Sequence, residues 1–231
     1  MHIDYLARRE RLIADIEEEV HATSMYTGRR VLHPRVLDAL RHVPRHEFVP
    51  EELRELAYAN HPLSIGHGQT ISQPYIVAIM TELLDLKPDH RVLEVGAGSG
   101  YQAAVLSCLA QHVYTVEAIP NLYHAARERL ARLGYRNVEC LLGDGALGWP
   151  EKSPFDAVIV TAAASEIPQP LVAQLKPGGR MVIPVGRQTL GQDLLLVRKD
   201  ESGKVKTSSL LGVAFVPLVS PTLRQPQQPE R

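Results

Sequence analysis

Apolar residues recur along this chain in two alternating ways, at helical spacing and in short unbroken runs, and that alternation predicts its elements. Residues 4–20 carry Leu6, Ile13, Ile16 and Val20 at helical spacing with charges elsewhere, the pattern of an amphipathic helix. Its Arg8, Arg9 and Arg11 are answered by Glu17, Glu18 and Glu19, which reads as a solvated face rather than a basic patch. Gly28 closes this region. Pro34 fits the first turn of a second helix with Val36, Leu37, Leu40 and Val43 inward, and Pro44 stops it. A third helix opens at Pro74 and runs to residue 86, with Ile76, Ile79, Met80, Leu83 and Leu84 on its apolar side.

Beyond residue 90 short buried runs take over. Val92, Leu93 and Val95 have the character of a fully buried parallel strand. Further runs at 112–117, 137–142, 155–161 and 180–185 predict strands, and helices at 101–110, 120–133 and 169–175 fall between them. Gly134 caps the middle helix, and Pro177-Gly178-Gly179 turns into the last of these strands. Segments 193–198 and 210–219 predict a closing antiparallel pair with Gly203 in the turn between them. This order predicts a doubly wound α/β fold with a mostly parallel sheet. Residues 1–90 are expected to pack as helices and a loop over the carboxyl edge of an α/β core at 91–219, as one unit. The Pro/Gln-rich residues 220–231 are expected to be disordered.

Composition narrows the field only a little. A chain of 231 residues, 45% hydrophobic and 22% charged, suits a single globular domain. Its net charge of -1 gives no overall field to draw in a polyanion, so a nucleic-acid partner is disfavoured. The two cysteines, Cys108 and Cys140, have apolar neighbours and are expected to be buried free thiols in a reducing compartment. No secretory h-region and no membrane-length apolar run is visible, so a cytoplasmic location is expected. His42 and His46 are four apart, but Pro44 between them spoils a shared helical face, and no metal site is expected.

The chemistry gathers at residues 92–100, V-L-E-V-G-A-G-S-G. Gly96, Gly98 and Gly100, following a strand and opening a helix, let a backbone approach a nucleotide cofactor. The spacing is G-x-G-x-G, not the G-x-G-x-x-G of dinucleotide enzymes. Glu94 is awkward beside a pyrophosphate and suits a cationic ligand. Together these resemble motif I of S-adenosyl-L-methionine (AdoMet) methyltransferases. Glu117 ends the second strand, about 20 residues beyond the glycines, where ribose hydroxyls are held in related sites. Asp144, in Gly143-Asp144-Gly145, reads either as an adenine contact or as a turn residue. Ala162–Ala164 leave space over the sheet for a ligand or for close packing. Residues 60–74, N-H-P-L-S-I-G-H-G-Q-T-I-S-Q-P, have the mixed character of an ordered binding loop. Within it Ser72 or Gln73 is placed to cap the following helix.

The loop at 65–74, I-G-H-G-Q-T-I-S-Q-P, is similar to the signature of bacterial protein-L-isoaspartate O-methyltransferases. Supporting blocks are V-P-R-H-E-F-V-P at 43–50, G-D-G at 143–145, L-K-P-G-G-R at 175–180, I-P-V-G at 183–186 and F-V-P-L at 215–218. The likeness covers residues 31–219 in matching order. It departs from animal members at Tyr75-Ile76-Val77-Ala78, where they carry a histidine. The resemblance implies a class I AdoMet-dependent enzyme that methylates the free α-carboxylate of L-isoaspartyl residues in damaged proteins. Glu94, Gly96, Ala97, Gly98 and Gly100 would line the methionine and ribose region of AdoMet. Glu117 with Ala118 would take the ribose, and Asp144 with Gly145 the adenine. Thr70, Ile71 and Ser72 would form the substrate wall, with Ser72 catalytic, and the backbone of Val216, Pro217 and Leu218 would pair with an extended peptide. Residues 60–72 would serve as a lid. Isoaspartyl proteins and peptides are the implied partners, with no nucleic acid, no membrane and no required oligomer.

Overall fold

A computed structural model describes residues 4–187 and 189–222. The chain begins with α1 (Tyr5–Ala22), the one-turn α2 (Ser24–Thr27) and α3 (Pro34–His42). Two 3-10 turns, Arg45–Phe48 and Glu51–Leu56, lead to a hairpin of β1 (Leu63–Gly66) and β2 (Gln69–Ile71), then to α4 (Pro74–Leu84). The α/β part follows: β3 (Arg91–Val95), α5 (Tyr101–Ser107), β4 (His112–Glu117), α6 (Pro120–Arg132) and β5 (Val138–Leu142). It is completed by β6 (Phe155–Val160), α7 (Gln169–Gln174), β7 (Leu175–Arg187), β8 (Gly191–Lys199) and β9 (Val205–Val213).

The main sheet has the order β5-β4-β3-β6-β7-β8-β9. Strands β3 to β7 pair in parallel, and β8 and β9 close the sheet antiparallel. The strand order reverses between β3 and β6, and clefts form at such switch points beyond the strands' carboxyl ends. Strand alternation sends Val92 to one face of the sheet and Leu93 and Val95 to the other. The first face carries the larger core, in which α1, α3, α4 and α5 pack together through residues such as Ile16, Leu40, Ile79 and Val105. Leu171 of α7 packs against the second.

Several expectations need correction. Leu6 is 72% exposed, because the buried stripe of α1 is Leu12, Ile13, Ile16 and Val20, and the first turn is held instead by Tyr5 stacked on His46 at 3.8 Å. Helix α5 stops at Ser107, where Cys108 and Leu109 N–H bond three residues back and tighten the last turn. That leaves Cys108 exposed and Cys140 half-buried, although both are free thiols. The last strand starts at Val205 and ends at Val213 rather than spanning 210–219. Asp200 Oδ1 accepts bonds from the N–H groups of Ser202 and Lys204, closing a tight turn that feeds straight into a polar edge strand. The tail is ordered at its start: Ser220 is 3% exposed and donates to Asp144, while residues 223–231 lie outside those described. Among the described residues no helix is long and apolar enough to cross a membrane, and no cluster of metal-ligating side chains is present.

Candidate active site

The cleft sits at the carboxyl ends of β3, β4 and β6. Each of those strands is buried and ends in a turn that faces it. After β3 the backbone turns through Gly96 and Gly98, both at positive φ, and Gly100 becomes the N-cap of α5 with φ 87°. At two of these glycines a side chain would be crowded as well as strained. A Cβ on Gly96 would lie 2.6 Å from Thr161 Oγ1, whose hydroxyl donates to the Gly96 carbonyl at 2.6 Å. One on Gly100 would press on Leu130 at 3.3 Å, where α5 and α6 meet. At the tip of β4, Glu117 accepts from Gly98 N–H at 2.8 Å and from Ile119 N–H at 3.0 Å. The carboxylate thereby ties the glycine turn to the next strand and still has lone pairs for a ligand.

The cleft brings together Gly96, Ala97, Gly98, Glu117, Ala118 and Gly145 from the sheet side. Thr70, Ile71 and Ser72 close it from the hairpin side, and Val216, Pro217 and Leu218 from the C-terminal side. Counted with its open mouth, it spans about 710 Å³ of space between the atoms. Tyr101, Gln102 and Thr161 also line it. No motif singled them out, although Thr161 follows the end of a parallel strand, which is where such sites collect.

Three expected residues are placed differently. Gly100 lies behind the turn, against α6, and shapes the cleft without facing it. Glu94 points away from the cleft into the larger core and is fully buried. Neither of its carboxylate oxygens, nor the hydroxyl of Thr115 beside it on β4, has a hydrogen-bond partner among the described residues. Burial pushes its pKa up to about 8, so the group carries a proton at neutral pH. Asp144 caps its own turn by accepting from Ala146 N–H, and its other oxygen accepts from the Ser220 and Thr222 hydroxyls. Burial works against ionisation there, but the bonds from Thr222 and Ser220 hold the carboxyl below its ordinary range. Of its two readings the structure shows Asp144 as the turn residue: it does not line the cleft itself, but sets Gly145 there and straps down the segment after Leu218.

That segment is itself pinned. Ala163 N–H donates to the Val216 carbonyl, and Leu218 N–H donates to the Ala163 carbonyl, each at 2.8 Å. Successive residues of an extended strand face opposite sides, so the edge left for an incoming strand is the one to which the Pro217 carbonyl points.

Ser72 does not cap α4. The N-cap is Gln73, with no side-chain bond to the helix, and the Ser72 hydroxyl has no hydrogen-bond partner among the described residues. Its carbonyl accepts from Arg45 at 2.8 Å. Ser72 also borders a second, more apolar groove, which it shares with Thr70, Thr161 and Val216. That groove runs between Tyr26 of α2, Ile76 of α4 and the stretch from Leu211 to Phe215. Within the hairpin segment Thr70 and Ser72 border both openings, and Glu19 of α1 holds the residues on either side of the segment, accepting from Asn60 at 2.7 Å and from Gln73 at 3.2 Å.

A sheet of this order, with a glycine turn after its central strand and a carboxylate at the tip of the next, defines the class as Rossmann-like AdoMet-dependent methyltransferases. The family model described as protein-L-isoaspartate(D-aspartate) O-methyltransferase matches residues 19–223. Protein-L-isoaspartate O-methyltransferase 1 of Cupriavidus necator is 57% identical over 212 residues, covering 92% of this chain and 82% of its own. The Myxococcus xanthus protein-L-isoaspartate O-methyltransferase is 54% identical, covering 83% of this chain and 91% of its own. Among solved structures, a protein-L-isoaspartate O-methyltransferase superposes with TM-score 0.79 at 29% identity, covering 93% of this chain and 67% of its own. A Plasmodium falciparum protein described as an isoaspartate methyltransferase, in complex with S-adenosyl-L-homocysteine, superposes with TM-score 0.72 at 25% identity, covering 89% of this chain and 97% of its own. The chain belongs to the protein-L-isoaspartate O-methyltransferase family.

Proposed function

We propose that this chain repairs aged proteins by moving a methyl group from AdoMet to the free α-carboxylate of L-isoaspartyl residues. The observation that carries this reading is the position of Ser72, a hydroxyl with no partner among the described residues, on the wall shared by the cleft and the apolar groove. The cleft suits AdoMet on its own chemistry: a glycine cradle that side chains would fill, and the Glu117 carboxylate for ribose hydroxyls. AdoMet supplies a methyl group activated by a positively charged sulfur. Gly96–Gly98 give close backbone approach, Glu117 and Ala118 hold the ribose, and Gly145, set by Asp144, borders the adenine.

The groove takes the peptide, with the free edge of Val216–Leu218, where Pro217 offers its carbonyl, as the strand-like contact. An α-carboxyl group with a pKa of about 3–4 is ionised at neutral pH, so no general base is needed. Ser72 then acts by donating a hydrogen bond that aims one carboxylate oxygen, while Thr70 and Ile71 exclude water. Orientation of this kind supplies several kcal/mol of barrier lowering in enzymes. The methyl ester formed closes to a succinimide without further help and reopens partly to normal aspartate. We propose further that no partner subunit is required, and that the enzyme works in the cytoplasm on protein rather than nucleic acid.

Ser72→Ala tests the assignment. Turnover on an isoaspartyl peptide is expected to fall about tenfold or more while AdoMet affinity stays within about threefold. Unchanged turnover would remove Ser72 from the chemistry.

A further inference from the structure

Arg45 is fully buried, and it is the largest side chain among the described residues to be so. Its guanidinium reaches three segments at once. Nε donates to the Ala57 carbonyl at 2.9 Å, Nη2 donates to the Ser72 carbonyl at 2.8 Å, and Cζ lies 4.9 Å from the centre of the Tyr101 ring. Nη1 is buried with no hydrogen-bond partner among the described residues. Removing such a cation from water costs several kcal/mol, and an apolar side chain of similar volume commonly serves stability as well or better. Here the cation is met by two carbonyl oxygens and an aromatic face rather than by a carboxylate.

The placement explains what that cost supports. Tyr101 opens α5 and lines the cleft beside the glycine turn, while Ser72 joins β2 to α4 on the opposite wall. One rigid fork therefore sets the separation between the wall that would hold the donor and the residue that would hold the acceptor. Its contact is with the Ser72 main chain, so the carbonyl is fixed while the hydroxyl stays free to face the cleft.

We propose that Arg45 is a positioning residue for methyl transfer, setting the Ser72 hydroxyl against the cofactor wall through its bond to the Ser72 carbonyl and its stacking on Tyr101. This rests on the reading of Ser72 given above. Arg45→Lys keeps the charge but loses the planar fork that serves two carbonyls and a ring together. Arg45→Met keeps the volume and drops the charge.

The test is a double-mutant cycle on kcat for an isoaspartyl peptide, with AdoMet Kd measured alongside. In the parent, either Arg45 variant is expected to lower kcat about tenfold, with AdoMet Kd within about threefold. In Ser72→Ala, where there is no hydroxyl left to aim, the same substitution is expected to change kcat by less than about threefold. A damaging Ser72→Ala combined with a full, additive Arg45 loss would overturn the positioning role and leave the Ser72 assignment standing. A silent Ser72→Ala would overturn both. AdoMet affinity falling in step with kcat, or loss of the fold in both Arg45 variants, would make Arg45 a structural residue only.

Discussion

The Glu117 carboxylate and the Gly98 N–H are joined at 2.8 Å, so the tip of β4 and the glycine turn after β3 move as one body. Glu117 is 6% exposed, and its second oxygen holds Ile119 N–H. A carboxylate bonded to backbone N–H groups is a charge-assisted contact worth about 1.5–3 kcal/mol. Glu117→Ala removes this tie together with the proposed ribose contact. AdoMet Kd measured by calorimetry is expected to rise about tenfold or more, and an unchanged Kd would take Glu117 out of the site.

Gly96→Ala brings a methyl group to 2.6 Å from Thr161 Oγ1 at a residue with φ 96°. Contact and strain act together there. The variant is expected to lose AdoMet binding even where circular dichroism shows a folded sheet. Adding Thr161→Ala relieves the contact but not the strain, so recovery is expected to be partial.

Glu94 couples stability to pH. Burial raises its pKa from the ordinary 4.5 to about 8, so between those values the folded protein holds a proton that the unfolded chain has released. Stability is fully present below about pH 4.5 and is lost as pH rises toward 8, at up to about 1.4 kcal/mol per unit from this group. Urea titrations from pH 5 to 8.5 are expected to show a flatter profile in Glu94→Gln than in the parent. Parallel profiles would mean that the buried carboxyl is already ionised.

Glu19 accepts from both Asn60 and Gln73, the residues that bracket the hairpin segment. Glu19→Ala frees two side chains and leaves the cleft residues intact. KM for an isoaspartyl peptide is expected to rise severalfold with AdoMet Kd unchanged, and limited proteolysis is expected to cut faster within residues 61–72. Equal cleavage rates would show that the hairpin is held by its own pairing.

The parts of the fold legible in the sequence are those set by burial and by backbone geometry. Strand β4 ends at Glu117 as its apolar run does, and α6 opens at Pro120 because proline fits a first helical turn. The glycines of the cofactor turn show themselves because only that residue takes their conformation cheaply. Contacts made across long sequence separations leave no such mark. Asp144 looks like any turn aspartate until Ser220 and Thr222 fold back onto it. Val216 and Leu218 spend one edge on Ala163, which side-chain identity cannot reveal. By its place in the motif Glu94 suits a cationic ligand, but strand alternation turns it into the core. Hairpin β1–β2 is too short and too polar for a period to show.

The most direct measurement is transfer of labelled methyl from AdoMet to a short isoaspartyl peptide, run beside the same peptide carrying normal aspartate. The account predicts base-labile label on the isoaspartyl peptide alone. Equal labelling of both peptides, or tight AdoMet binding with no transfer to either, would contradict it.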